Sequence, residues 1–65
     1  MRSLQVSTEF QYKVGREEYY KVYISRADGT MVPGSRTLRA CTGPTLRKVI
    51  KEMQADIDRG VWSKA

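Results

Sequence analysis

Between Val6 and Val14 the chain alternates. Val6, Thr8, Phe10, Tyr12 and Val14 fall on one side of an extended chain, and Ser7, Glu9, Gln11 and Lys13 on the other. That is the period of a half-buried strand. Gly15-Arg16 breaks the alternation and turns the chain back. A second strand is predicted over Glu18 to Arg26, with Tyr20, Val22 and Ile24 pointing one way and Tyr19, Lys21, Tyr23 and Ser25 the other. Asp28-Gly29 predicts a hairpin turn of type I′, in which Gly supplies a positive φ. A third strand would begin at Thr30-Met31-Val32. Pro33-Gly34 interrupts it, since proline has no ladder hydrogen bond to donate, so a bulge, an edge position or a longer loop is expected there. Pairing would resume over Arg36 to Cys41, with Leu38 and Ala40 turned inward and Thr37 and Arg39 outward.

From Pro44 to Arg59 the period changes. Leu46, Val49, Ile50, Met53 and Ile57 recur at steps of three and four, which places them on one stripe of a helix. Thr42 or Gly43 can cap its start, Pro44 fits its first turn, and Gly60 suits the position just past its end. The predicted class is α+β: a three-stranded antiparallel sheet packed on one C-terminal helix, in the order β-β-β-α. The chain reads as one small domain over 1–65, with the sheet within 5–41 and the helix over 44–59. Val6, Phe10, Tyr12, Tyr20, Val22, Ile24, Leu38 and Ala40 would meet the helical stripe. Trp62 would pack back on the domain, and Lys64 would be exposed. A sheet covered on one side leaves its other side free to carry function.

Size sets limits. A 65-residue chain buries only about 60% of its unfolded surface, so modest stability is expected. One cysteine, Cys41, and no histidine leave neither an internal disulfide nor the usual donors for zinc. No run approaches the roughly 20 apolar residues that span a bilayer, and Met1 to Val6 lacks the apolar core of a signal peptide. A soluble cytoplasmic protein is expected, with no membrane partner.

Charge changes the picture more. Twelve Lys and Arg against seven Asp and Glu give +5. From Gly29 to Lys51 five basic residues (Arg36, Arg39, Arg47, Lys48, Lys51) meet no acidic one. Such a block suits a polyanion, nucleic acid above all, or else is a solvated basic face. For catalysis the inventory is poor. Cys41 has no histidine to activate it. Glu17 and Glu18 face opposite ways on a strand, and Gly29, Gly34 and Gly43 are isolated turn residues rather than a phosphate loop. No enzyme, cofactor or small-molecule substrate is expected.

For binding the inventory is richer. The outward sheet face would carry Lys13, Tyr19, Lys21, Tyr23, Thr37 and Arg39, with Arg16 and Arg26 at the turns. Arg, Lys, Gln and Thr on a narrow sheet can read base edges in the major groove. Tyr19 and Tyr23 can contact phosphate, stack on an unpaired base, or merely fill cross-strand space. Arg47, Lys48 and Lys51 oppose the helix dipole, a cost that an anion bound there would offset.

The run Gly15-Arg16-Glu17-Glu18-Tyr19-Tyr20-Lys21-Val22-Tyr23-Ile24-Ser25-Arg26-Ala27-Asp28-Gly29, followed by Thr45 to Ile57 as helix, resembles the arm-type DNA-binding domain of phage and transposon integrases, of the tyrosine recombinase family. The resemblance covers Gly15 to Gly60. It implies a three-stranded sheet laid in the major groove, with Lys21, Tyr23, Arg36 and Arg39 as contacts, Arg16 and Arg26 flanking, and a phage or mobile-element protein as the natural setting. The catalytic domain of a recombinase is absent, so strand cleavage is not expected of this chain. The reading is a non-catalytic binder of double-stranded DNA, with phosphates held by Lys13, Arg16, Arg26, Arg47 and Lys48 and bases probed by Lys21, Tyr23 and Arg39. Its rivals are a phage-type module docking on a host protein, through exposed Tyr and Arg, and an RNA binder.

Overall fold

Strand β1 spans Leu4–Val14 and strand β2 spans Glu17–Arg26, paired antiparallel as a long ribbon. The computed structural model describes residues 4–62, so the expectation for Lys64 lies outside the described residues. Gly15 turns at φ 60°. Arg16 keeps a negative φ, so the two-residue loop follows the II′ pattern, whose twist matches that of the flanking strands.

One extra residue in β1 reorders its faces. The ladder runs Val6 to Ile24, Thr8 to Val22 and Phe10 to Tyr20, then shifts so that Tyr12 meets Tyr19 and Lys13 meets Glu18. Gln11 is the unpaired bulge residue. Strict alternation put Tyr12 and Val14 with Phe10. The bulge puts them on the opposite face, with Tyr19 and Glu17, and moves Lys13 to the face of Phe10 and Tyr20.

Among the described residues the sheet has two strands, not the three expected. Residues 27–42 do run back along β2, but among the described residues their ladder pairing with it is limited to the isolated bridges Ser25–Met31 and Tyr20–Cys41. The cause lies in Pro33-Gly34. Pro33 has no N–H, Gly34 adopts φ 81°, and the chain leaves the ladder. Side chains then replace backbone acceptors. Ser35 Oγ accepts the Ile24 N–H at 3.0 Å, and Thr37 Oγ1 accepts the Val22 N–H at 3.1 Å. Thr37 N–H returns a bond to Val22 O at 2.9 Å.

The Asp28-Gly29 turn also differs in type. Gly29 alone has positive φ, at 90°. Gly29 N–H bonds Arg26 O, and Arg26 N–H bonds Thr30 O. The loop is therefore the three-residue kind, a type I turn closed by a left-handed glycine.

Helix α1 spans Gly43–Asp58, one residue earlier at each end than predicted. Thr42 is the N-cap but makes no side-chain capping bond. Past Arg59, Gly60 at φ 81° bonds Ile57 O, and the Val61 N–H bonds Asp56 O. That pair of bonds is the Schellman stop.

α1 packs against both strands, over the face that carries Val22 and Ile24, with Leu46, Val49, Ile50, Met53 and Ile57 half-buried beneath it. The core is thin. Val22, Ile24 and Val32 are its fully buried apolar members. Val32 was not foreseen there. Leu38, expected against the helix, is 94% exposed, because the bends after Ser35 turn it to solvent. Phe10 and Tyr12, expected in the core, are about half exposed: they lie toward the ribbon's turn, away from the buried set. Trp62 is half-buried. Among the described residues no helix is long and apolar enough to cross a membrane.

Candidate nucleic-acid interface

The ribbon face away from α1 carries, in cross-strand order, Gln5 with Ser25, Ser7 with Tyr23, Glu9 with Lys21, and Tyr12 with Tyr19. These pairs follow from the register, since directly opposed residues share a face. Ser25, expected to point outward, is buried: its Oγ lies 2.8 Å from Ser7 Oγ, and Met31 stands beside it in the bridge. Tyr12 and Tyr19 stack, with ring centroids 5.0 Å apart and planes 22° apart. Phe10 and Tyr20 meet edge to face at 5.7 Å on the other side.

Arg36 completes the open face. It comes from the irregular segment alongside β2, yet its guanidinium pairs with Glu9 on β1. To do so it must cross β2 near Tyr23. Glu9, Tyr23, Gly29, Met31 and Arg36 line one shallow depression of about 210 Å³, and no residue of α1 lines it. Lys21, Tyr23 and Arg36 are therefore brought to one surface. Lys21 stands across from Glu9 but makes no ion pair among the described residues.

The other predicted contacts lie elsewhere. Arg16 is exposed at the ribbon's turn. Arg39 is exposed beyond the edge of β2, between the residues that bond Val22 and Tyr20. The bulge carries Lys13 to the α1 side, opposite Glu18. Arg26 is occupied, donating to Thr30 Oγ1 and to the Met31 carbonyl. Arg47 and Lys48 are exposed on α1. The eight cations and one tyrosine do not form one grip: three converge, Arg16 and Arg39 are exposed at the ribbon's turn and beyond the sheet edge, and the other four lie elsewhere.

Acidic groups temper the open face. Glu9 and Glu17 share it with Lys21 and Arg36. The Tyr19 hydroxyl donates to Glu17 at 3.2 Å, and that bond, together with the carboxylate's charge, holds the phenol's pKa above its ordinary value. Tyr20 is raised likewise by its bond to Glu18, on the other face. In the sequence Glu9 is one member of an alternating set. Its role as the residue that draws Arg36 across the sheet has no signal in the sequence, because 27 positions separate the pair.

Comparison with protein-family models, with curated proteins and with solved structures found no match to this chain.

Proposed function

We propose that this protein is a non-catalytic domain that binds double-stranded DNA by laying the open face of its ribbon in the major groove. The observation that carries the reading is the convergence of Lys21, Tyr23 and Arg36 on the surface that α1 leaves uncovered. B-DNA's major groove admits a two-stranded ribbon, and strands are a known reading element in such grooves. Lys21, Tyr23 and Arg36 would meet base edges, while Arg16 at the turn and Arg39 at the border would meet phosphates. The net charge of +5 favours the encounter. The likeness to integrase arm-type domains adds little weight, since it implies a third strand that this chain does not form.

The test is an NMR titration of the labelled protein with a short mixed-sequence duplex at low and moderate salt. Shifts are expected at Glu9, Lys21, Tyr23 and Arg36, with the outer face of α1 silent. Affinity should fall with salt at a log–log slope of about −0.9 for each phosphate neutralised. Shifts confined to α1, or no binding at low salt, would end the proposal. Preference for single strands over duplex would favour base stacking on Tyr12 and Tyr19 instead.

One observation favours a second reading. Phe10, Tyr12 and Val14 are each more than half exposed toward the ribbon's turn. Exposed aromatics of this kind anchor protein partners. Docking of that sort would survive salt that abolishes phosphate contacts.

A further inference from the structure

We infer that the Glu9 carboxylate is an internal stand-in for a phosphate, holding an anion site that a phosphodiester enters by displacing it. The inference rests on the DNA-binding reading for the identity of the anion; the site itself is read from side chains. Two groups hold this carboxylate and a third stands across the ladder from it. Arg36 pairs with Oε1 from across the sheet. Gln11 donates its amide to the same oxygen at 2.8 Å. Lys21 stands opposite in register with no ion pair of its own among the described residues. A guanidinium, an ammonium and an amide form a donor set suited to phosphate, and a guanidinium takes phosphate in the same two-bond geometry as a carboxylate.

The pair is also built to open. Arg36 and Glu9 are 43% and 48% exposed, and exposed pairs of this kind are held by about 0.2–1 kcal/mol. The depression beside them, lined by Tyr23, Met31 and Gly29, gives an incoming group room next to the guanidinium. Displaced from Arg36, Glu9 can turn outward without breaking the ladder, because its backbone pairing with Lys21 does not involve the carboxylate. The bulge strengthens the argument. Gln11 is the residue without a cross-strand partner, and its amide is the group that steadies Glu9. The device raises the threshold for loose polyanions. A ligand gains Arg36 only where it offers an anion at this place to exchange for Glu9.

The experiment compares wild type with Glu9→Gln, Arg36→Gln and the double variant, using two probes: a short DNA duplex and inorganic phosphate. Glu9→Gln keeps an oxygen for Gln11 and Arg36 but removes the charge. Duplex affinity should rise about 1.4- to five-fold, the fold-change of an exposed ion pair. The Arg36 Nε–H resonance should respond to inorganic phosphate at a lower concentration than in wild type. The gain should vanish when Arg36→Gln is added. Equal or weaker duplex binding by Glu9→Gln would mean that Glu9 positions Arg36 for the ligand, and the inference falls. A gain that persists without Arg36 would be a general charge effect, and the inference falls also. Should no form bind duplex, the DNA reading fails, and the phosphate arm alone decides: an earlier Arg36 response in Glu9→Gln upholds the anion site, and an unchanged response removes it.

Discussion

Asp28 accepts two bonds from one neighbour: the Thr30 N–H at 3.0 Å and the Thr30 hydroxyl at 2.7 Å. Those bonds, the hydroxyl's first, lower its pKa below the ordinary Asp value. A carboxyl whose folded-state pKa is lowered contributes stability that is present above its unfolded value and lost as pH falls through the folded one. Acid should therefore loosen the Ala27–Gly29 loop once pH falls below the ordinary Asp range. The Thr30 amide resonance is expected to titrate with a midpoint below the ordinary carboxyl range, and Asp28→Asn should abolish that step while leaving the loop closed. At this scale the sequence was partly legible. Asp-Gly marked the site of the turn correctly, since a glycine with positive φ serves either loop length. It did not distinguish two residues from three, because the deciding bonds are those of Arg26 to Gly29 and Thr30.

At the scale of elements, the ribbon and the helix were both readable, because each shows its period in the placement of apolar side chains. The segment after the turn was not, and Ser35 shows why. A serine beside Pro-Gly reads as a solvated loop residue. Here it is buried, accepts the Ile24 N–H, and donates to Val32 O at 2.7 Å. It does the work of a missing ladder residue with a side chain, and no alternation records that. Ser35→Ala would leave the Ile24 N–H, at the centre of the core, with no acceptor. We expect a loss of about 1–3 kcal/mol in urea unfolding, the cost of an orphaned buried donor. Ser35→Thr should retain most of the stability if its extra methyl is accommodated. The β1 bulge was hidden for a related reason. Aromatic and apolar residues occupy Phe10, Tyr12 and Val14, so the alternation looks unbroken whichever face they take.

Taken whole, the molecule is long and thin, 42 × 20 × 16 Å, with a core of three fully buried apolar side chains among the described residues. Domains hold about 0.05–0.15 kcal/mol per residue, which for this chain is roughly 3–10 kcal/mol. Truncating a buried isoleucine to alanine costs about 2–5 kcal/mol. Ile24→Ala should therefore leave a substantial unfolded population at room temperature, visible as lost dispersion in a proton spectrum. Leu38→Ala, by contrast, should change the unfolding midpoint little, since Leu38 touches almost nothing. The candidate face was legible as far as Lys21 and Tyr23, which lie on a regular stretch of β2. Arg36 reached it by a route that only the folded chain reveals. The extra residue in β1 has a practical consequence for anyone re-engineering the ribbon. A library that randomises every second position from residue 5 onward would alter one surface as far as Glu9 and the reverse surface from Lys13, so any such scan has to skip one position at Gln11 and resume at Tyr12.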